Sequence, residues 1–405
     1  MEKRDIAIAG CGIAGLAAAA LMRRAGHRVV VFDKLDAPQP LGSGLILQPV
    51  GLAVLDEIGV GARMRSLGAR IERLFGRATP SQRIVLDVRY AALGADAPTG
   101  CAVHRGALFG LLLEAALAAG AELIARHEVV SADSQRLTFR DGGRSARFDL
   151  VIDALGMRSP LCGKPSQSLT FGALWASLDW RAGFDPTTLE QRYERARKMA
   201  GVLPIGRLHE NGAQQAAFFW SLKGEDYEAW RAAPIAAWKQ EVLALWPQTA
   251  TFLDQINSHD DLVFARYAHR TARPVADGVA HIGDAWRCAS PQLGQGANMA
   301  LLDALALSRA LETGADRDAA LQFYARMRTR HTWLYQAASW LFTPAYQSDG
   351  ALIAWARDWI VAPLAQIQPA PKLLAALVAG ALGSPLRAIN ASRAPQPAQA
   401  EALPR

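Results

Sequence analysis

Six residues near the start of the chain have the spacing to cradle a phosphate: Gly10-Cys11-Gly12-Ile13-Ala14-Gly15. Between a strand and a helix, the first glycine of such a run permits a tight turn. The second lets backbone approach a pyrophosphate, and the third lets helix and strand pack closely. The free amides that open the helix, with the positive end of its dipole, face the anion. A lone glycine turn is weak evidence, so its context matters. Residues 6–9 read as a short buried strand, 16–25 as an alanine-rich helix and 28–32 as a second strand. That strand ends at Asp33-Lys34, and an acid about 20 residues beyond the glycines is where a ribose hydroxyl finds its partner. A bare turn in an unliganded α/β domain leaves this acid unexplained. Gly10, Gly12, Ile13, Ala14, Gly15, Asp33 and Lys34 are therefore candidate dinucleotide contacts. The acid suits any unphosphorylated adenosine ribose, so the motif does not separate FAD from NAD.

A second loop is more specific: Gly283-Asp284, then Pro291-Gln292-Leu293-Gly294-Gln295-Gly296-Ala297-Asn298, leading into an apolar helical run at 296–311. It resembles the GD motif of the group A FAD-dependent monooxygenases, the para-hydroxybenzoate hydroxylase and ubiquinone-biosynthesis hydroxylase superfamily. In that family GD is followed by P-x-x-G-Q-G-x-N. The resemblance implies bound FAD, and the residue types fit it. Asp284 can accept hydrogen bonds from ribityl hydroxyls, and Pro291 stiffens a loop able to lie along the isoalloxazine. Gly294 and Gly296, with Gln295 and Ala297 beside them, let backbone approach the pyrimidine edge. The helix that follows turns its positive end toward the site of charge in reduced flavin. Asn298 can add a further contact. The stretch from Gly42 to Pro49 resembles the family segment that passes over the flavin, which makes Gln48 a candidate substrate contact. His104-Arg105 with Leu108 resembles the family helix start whose arginine contacts FAD, and a guanidinium is a natural phosphate partner.

Two positions depart from the family pattern. Within Asp153-Ala154-Leu155-Gly156-Met157-Arg158-Ser159, Leu155 stands where the family has an aspartate linked to flavin and nicotinamide binding. Leucine accepts no hydrogen bond, so that role does not transfer, and Asp153 reads as structural. Arg287 stands where many relatives carry histidine. It either holds an anionic substrate beside the flavin or pairs locally.

The resemblance implies an enzyme that takes hydride from NADH or NADPH onto FAD. It would then hydroxylate an aromatic, phenolic or polyketide-like molecule through a flavin C4a-hydroperoxide. Two alternatives stay open: a flavin-dependent reductase or halogenase on the same scaffold, although a WxWxIP motif is absent, and a non-catalytic lipid- or partner-binding protein. No catalytic residue is assigned beyond Arg287 and Pro291 as neighbours of the flavin. His209, His259, His269 and His281 are isolated and form neither a triad nor a metal set.

The elements that must position these groups follow an α/β plan. Helices are expected at 51–58 and 105–119, and strands at 121–125, 150–152 and near Val279. From about Ser168 the chain turns to aromatic-rich strands, at 169–180, 201–208 and 213–222, with helices at 190–199 and 235–246. Residues 70–90 should add two strands. The fold class is thus α/β, a Rossmann-type FAD-binding domain with an inserted, mainly antiparallel β-sheet domain and C-terminal helices. The first domain takes residues 1–68, 100–165 and 266–317, and the sheet domain takes 69–99 and 166–265. A helical region follows at 318–392, then a Pro- and Ala-rich tail at 393–405 read as disordered. On the inserted sheet, alternation puts Phe218 and Trp220 on one face and Phe219 on the other. Trp175, Phe218 and Trp220 are the candidate aromatic roof for a flat or greasy substrate.

The chain has 405 residues, 51% hydrophobic and 20% charged, a globular balance with room for a large core. The net charge of +7 is scattered, without the basic stripe expected of a nucleic-acid binder. Cys11, Cys101, Cys162 and Cys288 form no CxxC pair and no metal-ligand spacing. This predicts a reduced, cytoplasmic protein without a structural metal. No signal peptide is expected, and no apolar run is long enough to span a bilayer. The apolar segments 333–342, 352–364 and 373–382 read as packed helices, with peripheral membrane contact as the alternative.

Overall fold

A computed structural model describes residues 3–36 and 43–390. Gly42 and the tail expected at 393–405 lie outside the described residues. The first strand, β1 (Asp5–Ala9), runs parallel to β2 (Arg28–Phe32) on one side and to Leu150–Asp153 on the other. Glu122–Ile124 and Val279–His281 extend this parallel array, and Val275–Ala276 closes it as an antiparallel edge. Strands buried on both faces should read as continuous apolar runs, and these do. One face packs on helix α1 (Ile13–Arg24) and on the helices Arg105–Ala118 and Gly296–Thr313. The other packs Ala7, Val30 and Phe32 against Phe139 and Phe148.

The second sheet has eight strands, in the spatial order Arg287–Cys288, Val263–Thr271, Gln167–Asp179, Gln215–Lys223, Lys198–Gly206, Thr188–Glu194, Arg73–Ala78 and Ile84–Arg89. All its neighbours are antiparallel except Thr188–Glu194 with Arg73–Ala78. Its two faces have different cover. Leu174, Ala176, Phe218 and Trp220 pack under the helices Tyr227–Ala232 and Ile235–Leu245, against Trp230, Trp238 and Trp246. Trp175, Leu203 and Phe219 face the other way, into a cavity between the two sheets.

The helix expected at 190–199 is instead a hairpin, Thr188–Glu194 turning at Arg195 (φ 54°) into Lys198–Gly206. Its charged residues suit a helix by composition, but from Leu189 onward burial alternates: Leu189, Gln191 and Tyr193 are buried while Glu190 and Arg192 are half-exposed. Pairing on both sides of the strand overrides local propensity.

Beyond the first sheet's last helix the chain is helical. Arg317–Tyr346 runs for 30 residues, its start capped by Asp316 accepting from the Ala319 amide at 2.8 Å. Ala351–Ala356 packs back on this long helix, and Arg357–Val361, Ala362–Leu364 and Ala370–Val378 then close over the second sheet's edge strand, Ile84–Arg89. Among the described residues, no helix is long and apolar enough to cross a membrane.

Candidate active site

The glycine turn follows the geometry its spacing predicts. Gly10 lies at φ 107°, and a Cβ there would come within 2.5 Å of the Ala154 carbonyl oxygen. A Cβ on Gly15 would stand 2.0 Å from the Gly10 oxygen, so only glycine allows this helix to seat against the strand. Gly12 caps the helix and has nothing within 4 Å of its missing side chain; that side is open cavity. Asp33 latches the turn, accepting from the Cys11 amide at 2.8 Å and the Leu35 amide at 2.9 Å. Burial and the Asp33 charge push the Cys11 thiol up to about 12, so it is a packed, unreactive group. Lys34 is exposed at the strand end and does not line the cavity.

The cavity has a volume of about 950 Å³. Gly12, Ile13, Ala14, Arg105, Asp284 and the loop from Pro291 to Ala297 line it, and Gln48, Trp175 and Phe219 line it as well. Arg105 and Asp284 lie deep in the molecule but open onto this space. The Arg105 amide donates to the Ser43 oxygen at 2.9 Å, while its guanidinium makes no hydrogen bond among the described residues. Depth pushes the Asp284 carboxyl above the ordinary carboxylate value, against the pull of Arg287 and Arg105. The Arg105 guanidinium is lowered by the same burial, with Asp284 opposing. A carboxylate and a guanidinium facing one cavity without protein partners are equipped to bind hydroxyls and phosphate.

The GD loop is tied down from behind by Asp303, a fully buried carboxylate on the helix Gly296–Thr313. Its Oδ2 accepts from the Gly283 amide at 2.9 Å, Trp286 Nε1 at 3.1 Å and Arg287 at 3.1 Å, and its Oδ1 from Arg328 at 2.7 Å. Burial alone would raise its pKa, but Arg287 and Arg328 outweigh burial and hold it low. Of the two readings of Arg287, the structure shows the local pair, although the residue also borders the cavity. Arg270 adds a second tie, donating to the Ala285 oxygen at 2.7 Å and the Met157 oxygen at 2.9 Å.

Asn298 turns away from the cavity. Its Oδ1 accepts from the Gln48 amide at 2.8 Å, and its Nδ2 donates to the Ile46 and Gly294 oxygens. It therefore staples the crossing segment to the GD loop and offers no side-chain contact to a ligand. Gln48 accepts a short hydrogen bond from the Tyr90 hydroxyl, and its Nε2 is buried without a partner. Gly294, at φ 60°, leaves its missing side chain 3.9 Å from that Nε2. At the other departure, Asp153 accepts from Leu155 N, Ser159 Oγ and His281 Nδ1. It is structural, and Leu155 packs into the apolar cluster under the first sheet while Ala154, Gly156 and Met157 line the cavity.

Phe218 and Trp220 are removed from the site: both belong to the helix-covered face. Phe219 takes their place, pairing in register with Trp175, with ring centroids 4.6 Å apart. Trp175 Nε1 donates to the Tyr267 hydroxyl at 3.0 Å. The sequence reading missed the opposite wall altogether. Tyr335, Ser339 and Phe342 of the long helix line the cavity, followed by Leu364, Leu373 and Leu377. The signal was present as Thr332, Tyr335, Gln336, Ser339 and Tyr346, a polar and aromatic stripe at helical spacing. Among the described residues no cluster of His, Cys, Asp or Glu could hold a metal ion.

A glycine-cradled helix start, an opposed Arg105–Asp284 pair and a second sheet roofing one shared cavity define an FAD-binding oxidoreductase. The family model for an FAD binding domain matches residues 3–339, and the chain belongs to that family. It is an FAD-dependent monooxygenase by kind. Its similarities include the aurachin C monooxygenase/isomerase of Stigmatella aurantiaca, 25% identical over 386 residues, covering 87% of this chain and 92% of that protein. The 6-methylpretetramide 4-monooxygenase of Streptomyces rimosus is 29% identical over 340 residues, covering 77% and 76%. Among solved structures, Klebsiella pneumoniae HpxO complexed with FAD and uric acid shares the fold at a TM-score of 0.77 and 19% identity, covering 94% of this chain and 98% of that one.

Proposed function

We propose that the protein hydroxylates a lipophilic aromatic molecule, with FAD held between the two sheets and NADH or NADPH as reductant. FAD would be held by the Gly12–Ala14 amides and Arg105 at its phosphates, Asp33 at its ribose, Asp284 at its ribityl chain and the Pro291–Ala297 loop along its ring. When bound it supplies the electron transfer and oxygen activation. The chain's own residues bind, orient and exclude water.

The observation that carries the substrate class is the composition of the wall away from the phosphate end. Trp175, Phe219, Leu203, Leu374 and Val378 line it. Asp87, which also borders the cavity, is committed to Arg73 by two hydrogen bonds of 2.7 Å. No histidine lines the cavity among the described residues, so the protein offers no near-neutral base there. The substrate must bring its own electron-rich ring. The relatives named as an aurachin C monooxygenase/isomerase and a 6-methylpretetramide 4-monooxygenase support the monooxygenase part of this reading.

The test is anaerobic mixing of the flavin-loaded enzyme with NADH or NADPH, with and without an alkylquinolone or a polycyclic phenol. The reading expects faster flavin reduction when the aromatic is bound. Reduction followed by saturation of a substrate double bond, without oxygen uptake, would replace it with the reductase reading.

A further inference from the structure

Apolar exposure is concentrated in one part of this molecule. Among the described residues, all the exposed large hydrophobic side chains except Leu35, Leu117 and Val263 lie between residues 333 and 373. Trp333 is 67% exposed, Trp340 75% and Leu352 75%. Trp333, Trp340 and Leu341 share one face of the long helix, seven and eight residues apart. Leu352, Trp355 and Trp359 repeat on the next helical segment at spacings of three and four. Isolated surface hydrophobics are ordinary, but a concentration of this kind marks a contact surface.

The charge around it is one-sided. The only acids in residues 319–390 are Asp349 and Asp358, paired with Lys223 and Arg357, each at 2.7 Å. Arg326, Arg330, Lys372 and Arg387 are exposed and carry no ion pair among the described residues. Such a face repels a second copy of itself and attracts anionic headgroups, while tryptophan is the side chain favoured at the membrane–water boundary.

The face is also continuous with the cavity. Val361, Leu364 and Leu373 are exposed to solvent and line the cavity at once, with Leu374 and Leu377 behind them. A greasy molecule leaving a bilayer at this face reaches the site without crossing water.

We propose that the helical surface from Trp333 to Leu373 docks on an anionic lipid bilayer, and that substrate enters from the bilayer past Val361, Leu364 and Leu373. The entry clause rests on the hydroxylase reading; the docking clause does not. The flavin-loaded full chain is sedimented with phosphatidylcholine vesicles, with and without phosphatidylglycerol. Docking predicts sedimentation with the phosphatidylglycerol vesicles, weakened by salt. It further predicts a loss of about tenfold in bound fraction for Trp333→Ser/Trp340→Ser/Trp355→Ser, at unchanged flavin content and melting temperature. No sedimentation of the native chain overturns the proposal, and so does equal sedimentation of the triple variant. A concentration-dependent dimer in light scattering that the triple variant abolishes also overturns it, assigning the face to a second copy. Entry is read separately: Ile360→Arg, an exposed position beside Val361 that does not itself line the cavity, should raise KM for a vesicle-borne alkylquinolone while leaving KM for a water-soluble phenol unchanged. Equal effects on both remove the entry clause alone.

Discussion

Arg287 donates to Asp303 Oδ2 at 3.1 Å, so the cation bordering the cavity is anchored by a carboxylate with no exposure to solvent. Asp303 serves Arg328, Trp286 and the Gly283 amide as well, which makes it the point where the GD loop is attached to the helix behind it. Removing one member of a buried ionic group leaves the others uncompensated.

Asp303→Asn should therefore destabilise the protein by about 3–5 kcal/mol and loosen its flavin. The folded Asp303 carboxyl lies below its unfolded value, so its stabilising contribution is present above the unfolded carboxylate pKa and is lost as pH falls through the folded one. Thermal unfolding of native and variant protein across acid pH checks both effects, and the variant should lack that part of the acid sensitivity.

His331 gives a second pH dependence on the same network. Burial, followed by the Arg328 and Arg287 charges, lowers it from 6.5 to about 3, and it faces an Arg328 Nη1 donor at 3.0 Å. It stays neutral in the fold while the unfolded chain takes up a proton. Stability should thus fall by about 1.4 kcal/mol per pH unit as pH drops below 6.5 toward 3. His331→Asn, which keeps an acceptor, should flatten that slope in denaturant titrations at stepped pH.

Asp284→Ala should weaken FAD binding by about 10- to 100-fold, the loss of hydrogen bonds to a charged group. The apoprotein should keep its melting temperature, because the Asp284 side chain makes no hydrogen bond among the described residues. Flavin fluorescence titration of the apoprotein reads the first effect, and thermal unfolding without flavin reads the second.

The two faces of the second sheet predict opposite behaviour for neighbouring residues. Phe218→Ala should cost about 3–5 kcal/mol of stability and leave KM unchanged in the folded fraction. Phe219→Ala should raise KM for the aromatic substrate through the loss of the cavity-lining ring packed beside Trp175. Steady-state kinetics beside thermal unfolding separates them.

That contrast shows what the chain made legible. The glycines at 10, 12 and 15 were readable because backbone geometry and close approach exclude every other residue at two of them. The GD run was readable because a loop that shapes a flat ligand's edge needs several unusual residues together. Alternation separated Phe218 from Phe219, but which face a sheet shows to a helix depends on elements far along the chain, here Trp230 to Trp246. The strand at 188–194 hid behind charged residues whose apolar neighbours alternate with period two. Asp303 was invisible because its partner Arg328 lies on another helix and only packing brings them together. The Asn298 staple was concealed for the same reason: its amide is satisfied by residues 46 and 48.

The central claim is hydroxylation by FAD chemistry in a chain whose usual aspartate is Leu155. The most direct measurement is turnover with NADH or NADPH and a lipophilic aromatic under ¹⁸O₂, followed by mass spectrometry of the product. The account predicts one ¹⁸O atom per product molecule and substrate-dependent consumption of reduced nicotinamide. A product that carries oxygen from water, or one formed without oxygen at all, would contradict it.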